Sequence, residues 1–309
     1  MSSASTTDRA AAVTGAFGFT GKYIARHLLA EGCRVVTLTN HPDRADPFDG
    51  RVEARPLDFA DPTGLVRSLE GVDTLYNTYW IRFEHGLSTF ARAVEHTRTL
   101  IGAAQEAGVR RLVHVSITNP DPASPLPYFS GKAAVEQAIR DSRLSWAILR
   151  PAVVFGQEDI LINNIAWLVR RFPVFAVPGA GEYRLQPIHA DDLATLAVRV
   201  GRNTDNVTID ATGPETYTFK DLVKEIGHAV GRSPRIVSIP SGAMWALGWV
   251  LGRTVGDVTL TRDEITGLSA SLLATESPPA GTTSLRRWLR ENADTVGRHY
   301  ASEIARHYR

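Results

Sequence analysis

A doubly wound α/β fold, with a parallel sheet covered by helices on both faces, is what the first two-thirds of this sequence predicts. Two observations carry that expectation. Short apolar, β-branched runs alternate with amphipathic stretches of helical period, which is the pattern of doubly buried strands joined by crossover helices. The first of those strands also runs directly into a glycine-rich turn that opens a helix. Composition agrees: 43% of the 309 residues are hydrophobic and 22% charged, enough to build a sizeable core. The net charge of +1 gives no electrostatic reason to expect a nucleic acid as partner.

The elements follow in order. "AAVTG" (11–15) reads as a buried strand and "GKYIARHLLAEG" (21–32) as a helix closed by Gly32. "CRVVTLT" (33–39) is the next strand, "DPTGLVRSLEG" (61–71) a short helix, and "DTLYNT" (73–78) a strand. "STFARAVEHTRTLIGAAQEAG" (88–108) is a long helix ended by glycine. "RLVHVSI" (111–117) and "SWAILRPAVV" (145–154) are strands, with "GKAAVEQAIRDS" (131–142) as the helix between them. Right-handed crossovers then wind the sheet in both directions.

After residue 155 the alternation loosens. Helices are expected at 191–201 and 219–231, a strand at 207–213, and a charged helical tail over 282–308. This divides the chain into a dinucleotide-binding domain over 10–155 and a smaller C-terminal α/β substrate region over 156–309. Strands near 183–189 and 207–211 are expected to return to the sheet. "AMWALGWVLG" (243–252) is the most apolar stretch, about half the length of a membrane span, so no transmembrane segment is expected. It reads as a helix packed on the body. Trp245 and Trp249, at i and i+4, raise a peripheral membrane or protein contact as the alternative. The single Cys33 fits a reducing, cytoplasmic setting. The polar start "MSSASTTDR" reads as a disordered leader rather than a signal peptide.

Gly15, Gly18 and Gly21 stand at equal three-residue steps between strand and helix. Gly15 permits the tight turn, Gly18 lets backbone approach a pyrophosphate, and Gly21 lets helix and sheet pack closely. The helix N-terminus presents N–H groups and positive partial charge to the phosphates. At the end of the second strand an acid would take the ribose hydroxyl of NAD, and a base the 2′-phosphate of NADP. Here "TLTNHPDR" (37–44) holds no acid at the strand end but Asn40 and, one turn on, Arg44, which leans towards NADP. Asp58 in "LDF" can accept from the adenine amino group or simply cap a turn.

"YFSGK" places Tyr128 and Lys132 four residues apart at a helix start, hence on one face. A tyrosine works as general acid or base only when its pKa of about 10 is drawn down, and a neighbouring ammonium does that. Ser116, at the end of the preceding strand, is placed to bond a substrate carbonyl. With four lysines and 8 tyrosines in 309 residues, chance supplies about 0.1 such pairs.

Together "TGAFGFTG" (14–21), "YFSGK" (128–132), "LRPAVVFGQED" (149–159) and "QPIHADDLA" (186–194) resemble the extended or atypical branch of the short-chain dehydrogenase/reductase superfamily, over about residues 11–230. Within it the segment 162–194 is most similar to the group holding the nucleotide-binding accessory subunit of respiratory complex I. The resemblance implies a Rossmann fold. It implies cofactor contacts from Gly15, Gly18, Gly21, Asp58, Tyr128 and Lys132, with Asn77 and Thr78 nearest the nicotinamide. Phe17, Phe19, Thr20, Phe59, Tyr79, Pro151 and Val153 lie in the same motifs and are expected beside the cofactor. Ser116, Tyr128 and Lys132 would be the catalytic triad.

Three departures stand out. Asn40 occupies the place of a basic residue, "NTYW" (77–80) replaces a small alanine-rich turn, and the proline-rich serine loop offers Ser124 as a rival to Ser116. Trp80, Arg82, Phe155, Asn163, Asn164 and Gln186 are the candidate substrate residues. His189 with Asp191 and Asp192 invites a metal reading, but "DDLA" reads better as a helix N-cap, and no metal is expected. The expected function is an NAD(P)-dependent oxidoreductase acting on a carbonyl or hydroxyl of a small molecule. The alternatives are an NAD(P)H-holding structural or sensor protein and a nucleotide-sugar epimerase or dehydratase.

Overall fold

In a computed structural model that describes residues 10–41, 43–257 and 261–304, seven strands join in one sheet. Its strands are β1 (Ala10–Thr14), β2 (Arg34–Thr39), β3 (Val52–Pro56), β4 (Val72–Asn77), β5 (Arg111–Val115), β6 (Ser145–Pro151) and, much later in the chain, β11 (Val207–Ala211). Their order across the sheet is 11-6-5-4-1-2-3. The pairs from β6 through to β3 are all parallel. Every residue of β1 is buried, as a strand covered on both faces must be. Helix α1 (Phe19–Ala30) packs with α6 (Ala190–Gly201), whereas α2 (Pro62–Ser68), α3 (Phe90–Glu106) and α4 (Pro127–Arg140) pack side by side. Leu75, Leu100, Leu112, Ile139 and Ile148 sit in the core between these helices and the strands.

This unit runs to Pro151 and takes in Ala190–Asp210; a second unit holds Ala152–His189 and Ala211 onward. The second unit contains β7 (Val153–Phe155), α5 (Leu161–Arg171), β8 (Val174–Pro178), β9 (Arg184–Leu185), β10 (Pro187–His189), β12 (Tyr217–Thr218), α7 (Phe219–Ala229), β13 (Arg235–Ile239), α8 (Ser241–Val255), α9 (Arg262–Ser269) and α10 (Leu285–Glu291). Its strands form three two-stranded sheets, β7 with β10, β9 with β12 and β8 with β13. Phe155, Ile165, Val177, Leu222 and Leu289 are among its core residues.

Three expectations change. The strand expected over 145–154 stops at Pro151 and resumes as β7 in another sheet, because proline cannot donate to a continuing ladder. Of the two segments expected to return to the large sheet, 207–211 does and 183–189 does not. The expected helical tail over 282–308 is interrupted: it is helical over 285–291, leaves the helix over 292–302 and is helical again at 303–304. Within the interruption Gly297 takes φ +67, and an added Cβ there would lie 2.5 Å from the backbone N of Trp167, so the chain turns to lie against α5. Residues 1–9 and 305–308, which carry the expected leader and the end of that tail, lie outside the described residues.

Candidate cofactor and active site

Strand order reverses between β1 and β4, which is where a doubly wound sheet opens a crevice at the carboxyl ends of its strands. β1 ends at Thr14, and Gly15 follows at φ +67, a conformation glycine adopts without strain. Its N–H donates to Leu38 O at 3.0 Å, and Gly18 N–H returns to Gly15 O at 2.8 Å. Ala16 N–H donates to Thr37 Oγ1 at 2.9 Å, which pins the turn to β2. A Cβ on Gly21 would sit 2.3 Å from Gly15 O and one on Gly18 3.1 Å from the same atom. No side chain caps α1 at Gly18, and its first turn holds no acid. The turn is therefore a backbone cradle at the positive end of a helix, and it fits a dinucleotide pyrophosphate. Phe17, Phe19 and Thr20 line it half-exposed, with Phe17 leaning on Phe48 and Phe19 on Tyr23.

At the end of β2 Asn40 is exposed and Arg44 half-buried. Arg44 N–H donates to His41 O at 3.2 Å. Asp58 is exposed, with Oδ1 accepting from Ala60 N–H at 2.9 Å. Phe59 and Tyr79 join a group that the sequence did not announce. Phe59 stacks on His96 at 4.2 Å and tilts against Tyr79 at 4.9 Å, and Tyr79 Oη lies 2.7 Å from His96 Nδ1. Burial, then Arg92, lowers the His96 pKa. Nothing in "VEHTR" distinguishes His96 from a solvated helix residue.

Asn77 and Thr78 fasten the crevice floor. Thr78 N–H donates to Thr14 Oγ1 at 2.7 Å, and Thr78 Oγ1 donates to Thr14 O at 2.6 Å. Fully buried Asn77 accepts from Thr14 Oγ1 and from Tyr79 N–H. Its Nδ2 lies 3.2 Å from His114 Nδ1. Burial, reinforced by Lys132, pushes His114 well below its ordinary range, so the ring is neutral. His114 Nε2 has no hydrogen-bond partner.

Helix α4 brings Tyr128 and Lys132 to the end of β5. Lys132 is buried, and its Nζ donates to Val115 O at 2.9 Å. The ammonium lies 4.6 Å from the centre of the Trp80 ring. Burial draws its pKa down to about 7, against the opposing pull of Glu136. Tyr128 is half-buried and meets Trp80 and Phe90 edge-on at 5.9 and 5.7 Å. A Cβ on Gly131 would lie 3.1 Å from Trp80 Cη2, so the glycine of "YFSGK" makes room for the indole. Trp80 Nε1 is buried without a partner.

The expected role of Ser116 needs correction. It is 4% exposed, and its hydroxyl donates to Glu136 Oε1 at 2.6 Å. That proton is not also available to a substrate carbonyl. Glu136 is held in turn by Arg150 at 2.6 and 2.9 Å and by Arg140 at 2.8 Å. Burial alone would raise the Glu136 carboxyl, but hydrogen bonds from Arg150, Ser116 and Arg140 keep it below its ordinary range. The network has a sequence signal in hindsight: Glu136 lies one turn beyond Lys132 on the same helical face. The rival Ser124 is engaged too, accepting from Leu126 N–H at 3.2 Å within its own loop.

Arg82 lies half-buried beyond β4, and Pro151 O accepts from Thr118 N–H at 3.0 Å. In the second unit, several expected site residues serve its own architecture. Val153 is buried, and fully buried Phe155 packs edge-on against His189 and Trp288. Asn163 Nδ2 lies within hydrogen-bond range of Gly156 O and Asp159 O, and its Oδ1 accepts from Gly297 N–H. Asn164 exchanges two bonds with the backbone of Ala301. Gln186 Oε1 accepts from Thr275 N–H at 2.6 Å. Phe155, Asn163, Asn164 and Gln186 thus each make contacts within the second unit. In the first unit, Asp191 and Asp192 fall in the first turn of α6 rather than at its N-cap, and Asp191 Oδ1 lies 2.9 Å from His27 Nε2.

Comparison with known proteins agrees with a nucleotide-binding cradle. Residues 15–161 match the NAD(P)H-binding family model. The matched segment is just under half of this chain. Its relatives include the 40 kDa subunit of mitochondrial NADH-ubiquinone oxidoreductase of Neurospora crassa, 27% identical over 268 residues, covering 82% of this chain and 69% of that protein. Another is the ceramide reductase of Caulobacter vibrioides, 28% identical over 242 residues, covering 77% of this chain and 75% of that protein. An NADPH-dependent quinone oxidoreductase from Escherichia coli, solved with NADPH, shares the fold with a TM-score of 0.74 at 22% identity, over 91% of this chain and 99% of its own. Among the described residues no helix is long and apolar enough to cross a membrane.

Proposed function

We propose that this chain is an NADPH-dependent reductase of a carbonyl-type acceptor, with Tyr128 as proton donor and Lys132 as the group that eases that proton away. One observation carries the proposal: Lys132 is buried one helical turn from Tyr128, with its pKa drawn to about 7. A side chain poised there changes charge at small cost, which acid–base catalysis at neutral pH requires. NADPH, when bound, supplies the hydride. Tyr128 Oη gives its proton to the acceptor oxygen, and the Lys132 ammonium stabilises the phenolate left behind. Ser116 and Glu136 hold the helix face that carries Lys132. The missing acid at the end of β2, with Arg44 close by, favours NADPH over NADH. The NADPH-bound quinone oxidoreductase of the same fold and the ceramide reductase support a reductive direction and suggest the acceptors to try.

The test follows NADPH oxidation by its near-ultraviolet absorbance against a panel of quinones and ketones. Turnover should fall by about 10²–10⁴-fold in Tyr128→Phe, with NADPH binding retained. Turnover unchanged in that variant refutes the role of Tyr128. A second reading rests on the indole of Trp80, which lies over Lys132 and against Tyr128: a protein that holds NADPH without turning it over. Tight NADPH binding with no oxidation by any acceptor, in wild type and Tyr128→Phe alike, selects that reading.

A further inference from the structure

The second unit carries an apolar surface that the proposed reaction does not use. Seven large apolar side chains stand exposed among the described residues, and six belong to it: Phe172 (49%), Val174 (49%), Val237 (37%), Trp245 (36%), Leu247 (47%) and Trp249 (53%). They come from the end of α5, the paired strands β8 and β13, and α8, which packs against β8. Val174 and Val237 share one face of their sheet, because the parallel register sets Val174 opposite Arg235 and Val237 opposite Ala176. Helix α8 turns a seam of Met244, Gly248, Leu251, Gly252 and Val255 inward. Trp245, Leu247 and Trp249 then lie on its flanks and outer side. A helix that is apolar on both its inner and outer sides requires a second apolar medium beyond the protein body.

Charge identifies that medium. Neither 170–181 nor 226–256 contains an aspartate or glutamate, whereas Arg170, Arg171, Arg232, Arg235 and Arg253 all fall within them. The neighbouring acids point elsewhere. Asp257 is buried and accepts from Tyr300 Oη and from the backbone N–H of Glu303 and Ile304. Glu182 lies 3.7 Å from Lys220, and Glu225 3.1 Å from Arg286. Arg253 sits 4.3 Å over the Trp249 ring, a basic head beside an aromatic body. Tryptophan and arginine around an apolar face match the boundary between acyl chains and anionic headgroups. At ~1.5 Å per residue α8 is ~22 Å long, short of the ~30 Å of a bilayer core, so it lies on the membrane rather than spanning it.

We infer that α8, with the β8–β13 face beside it, docks the protein on the surface of an anionic lipid bilayer. The whole chain is mixed with phosphatidylcholine vesicles, or with vesicles also containing phosphatidylglycerol, and sedimented. Binding should require the anionic lipid, weaken with added salt and shift tryptophan emission to the blue. Trp245→Gln/Trp249→Gln should lower vesicle affinity by at least about tenfold, and Arg253→Gln by about fivefold on anionic vesicles only. Leu87→Gln removes the one large apolar side chain exposed among the described residues of the other unit and should leave binding unchanged. Retained circular dichroism and NADPH binding certify each variant as folded. The inference is overturned if the folded wild type does not sediment with anionic vesicles, or if Leu87→Gln weakens binding as much as the double variant. It is equally overturned if light scattering shows a dimer that the double variant abolishes, because the face would then be covered by a second copy.

Discussion

Two helices begin at the same edge of the large sheet, and they begin differently. Helix α1 starts at Gly18 on bare backbone, without a capping side chain or an acid in its first turn. Helix α4 starts at Pro127 among aromatic rings, with a buried lysine and a buried glutamate on its inner face. The first start is a site made of main chain, where only the absence of side chains matters. The second is made of side chains whose partners come from β4, β5 and β6. The first can do little except hold an anion, whereas the second can hold, release and stabilise protons.

The largest effect should come from the second site. Glu136→Gln keeps the shape but leaves Arg150 and Ser116 facing a neutral amide. Breaking a buried ion pair by removing one partner costs about 3–5 kcal/mol. Arg150 retains some solvent contact, so a loss near the lower end, about 3 kcal/mol, is expected from denaturant unfolding. A loss below about 1 kcal/mol would mean that the network is looser than its distances imply.

Gly21→Ala probes the first site. The added Cβ would meet backbone, Gly15 O at 2.3 Å and Gly15 C at 2.8 Å, and neither can swing aside. Stability should fall by about 1–3 kcal/mol, and NADPH affinity more than tenfold in fluorescence titration as the turn opens. Equal losses of affinity in Gly21→Ala and Glu136→Gln would erase the distinction between a start made of main chain and one made of side chains.

Lys132 sharpens the comparison through pH. In the unfolded chain its proton is held to about pH 10.5, and in the folded chain only to about 7. Between those values the unfolded state binds more protons, so this group makes stability rise with pH across the window. Below about pH 7 the cost of burying the ammonium is present in full, and above about 10.5 it has gone. Lys132→Met should remove that rise, making the variant more stable than wild type at neutral pH while abolishing turnover. Parallel stability–pH curves for the two proteins would contradict the burial of a charged Lys132.

The same contrast explains what could be read without coordinates. The strand–turn–helix around Gly15–Gly21 was legible because each glycine answers a local steric demand that a short stretch of sequence displays. The doubly wound, parallel character of the sheet followed from alternation and handedness, although β3 was not among the strands that the pattern displayed. Tyr128 and Lys132 were legible as a pair on one helical turn, but Trp80 over the ammonium and Glu136 holding the Ser116 hydroxyl were not. Those contacts join residues 52 and 20 positions apart, and no local pattern encodes them. Phe155, Asn163, Asn164 and Gln186 are hard to read for a related reason. In sequence a buried polar or aromatic side chain that staples loops looks the same as one that lines a pocket.

The smallest effect is expected at Gly131, where the two kinds of start meet. Like Gly21 it is a helical glycine under steric demand, but its neighbour is a side chain: Trp80 Cη2 at 3.1 Å and Cζ2 at 3.4 Å from an added Cβ. Alanine gains roughly 1 kcal/mol of helix propensity over glycine, and pushing the indole aside costs about as much. Gly131→Ala should therefore change stability by less than about 1 kcal/mol, while shifting Trp80 off Lys132 and raising the lysine pKa as water gains access. A Trp80→Leu background separates the two contributions. There the crowding is relieved, and Gly131→Ala should stabilise by close to the full propensity gain. If the substitution has the same effect in both backgrounds, the glycine is not there for the indole, and the aromatic cover over Lys132 has another cause.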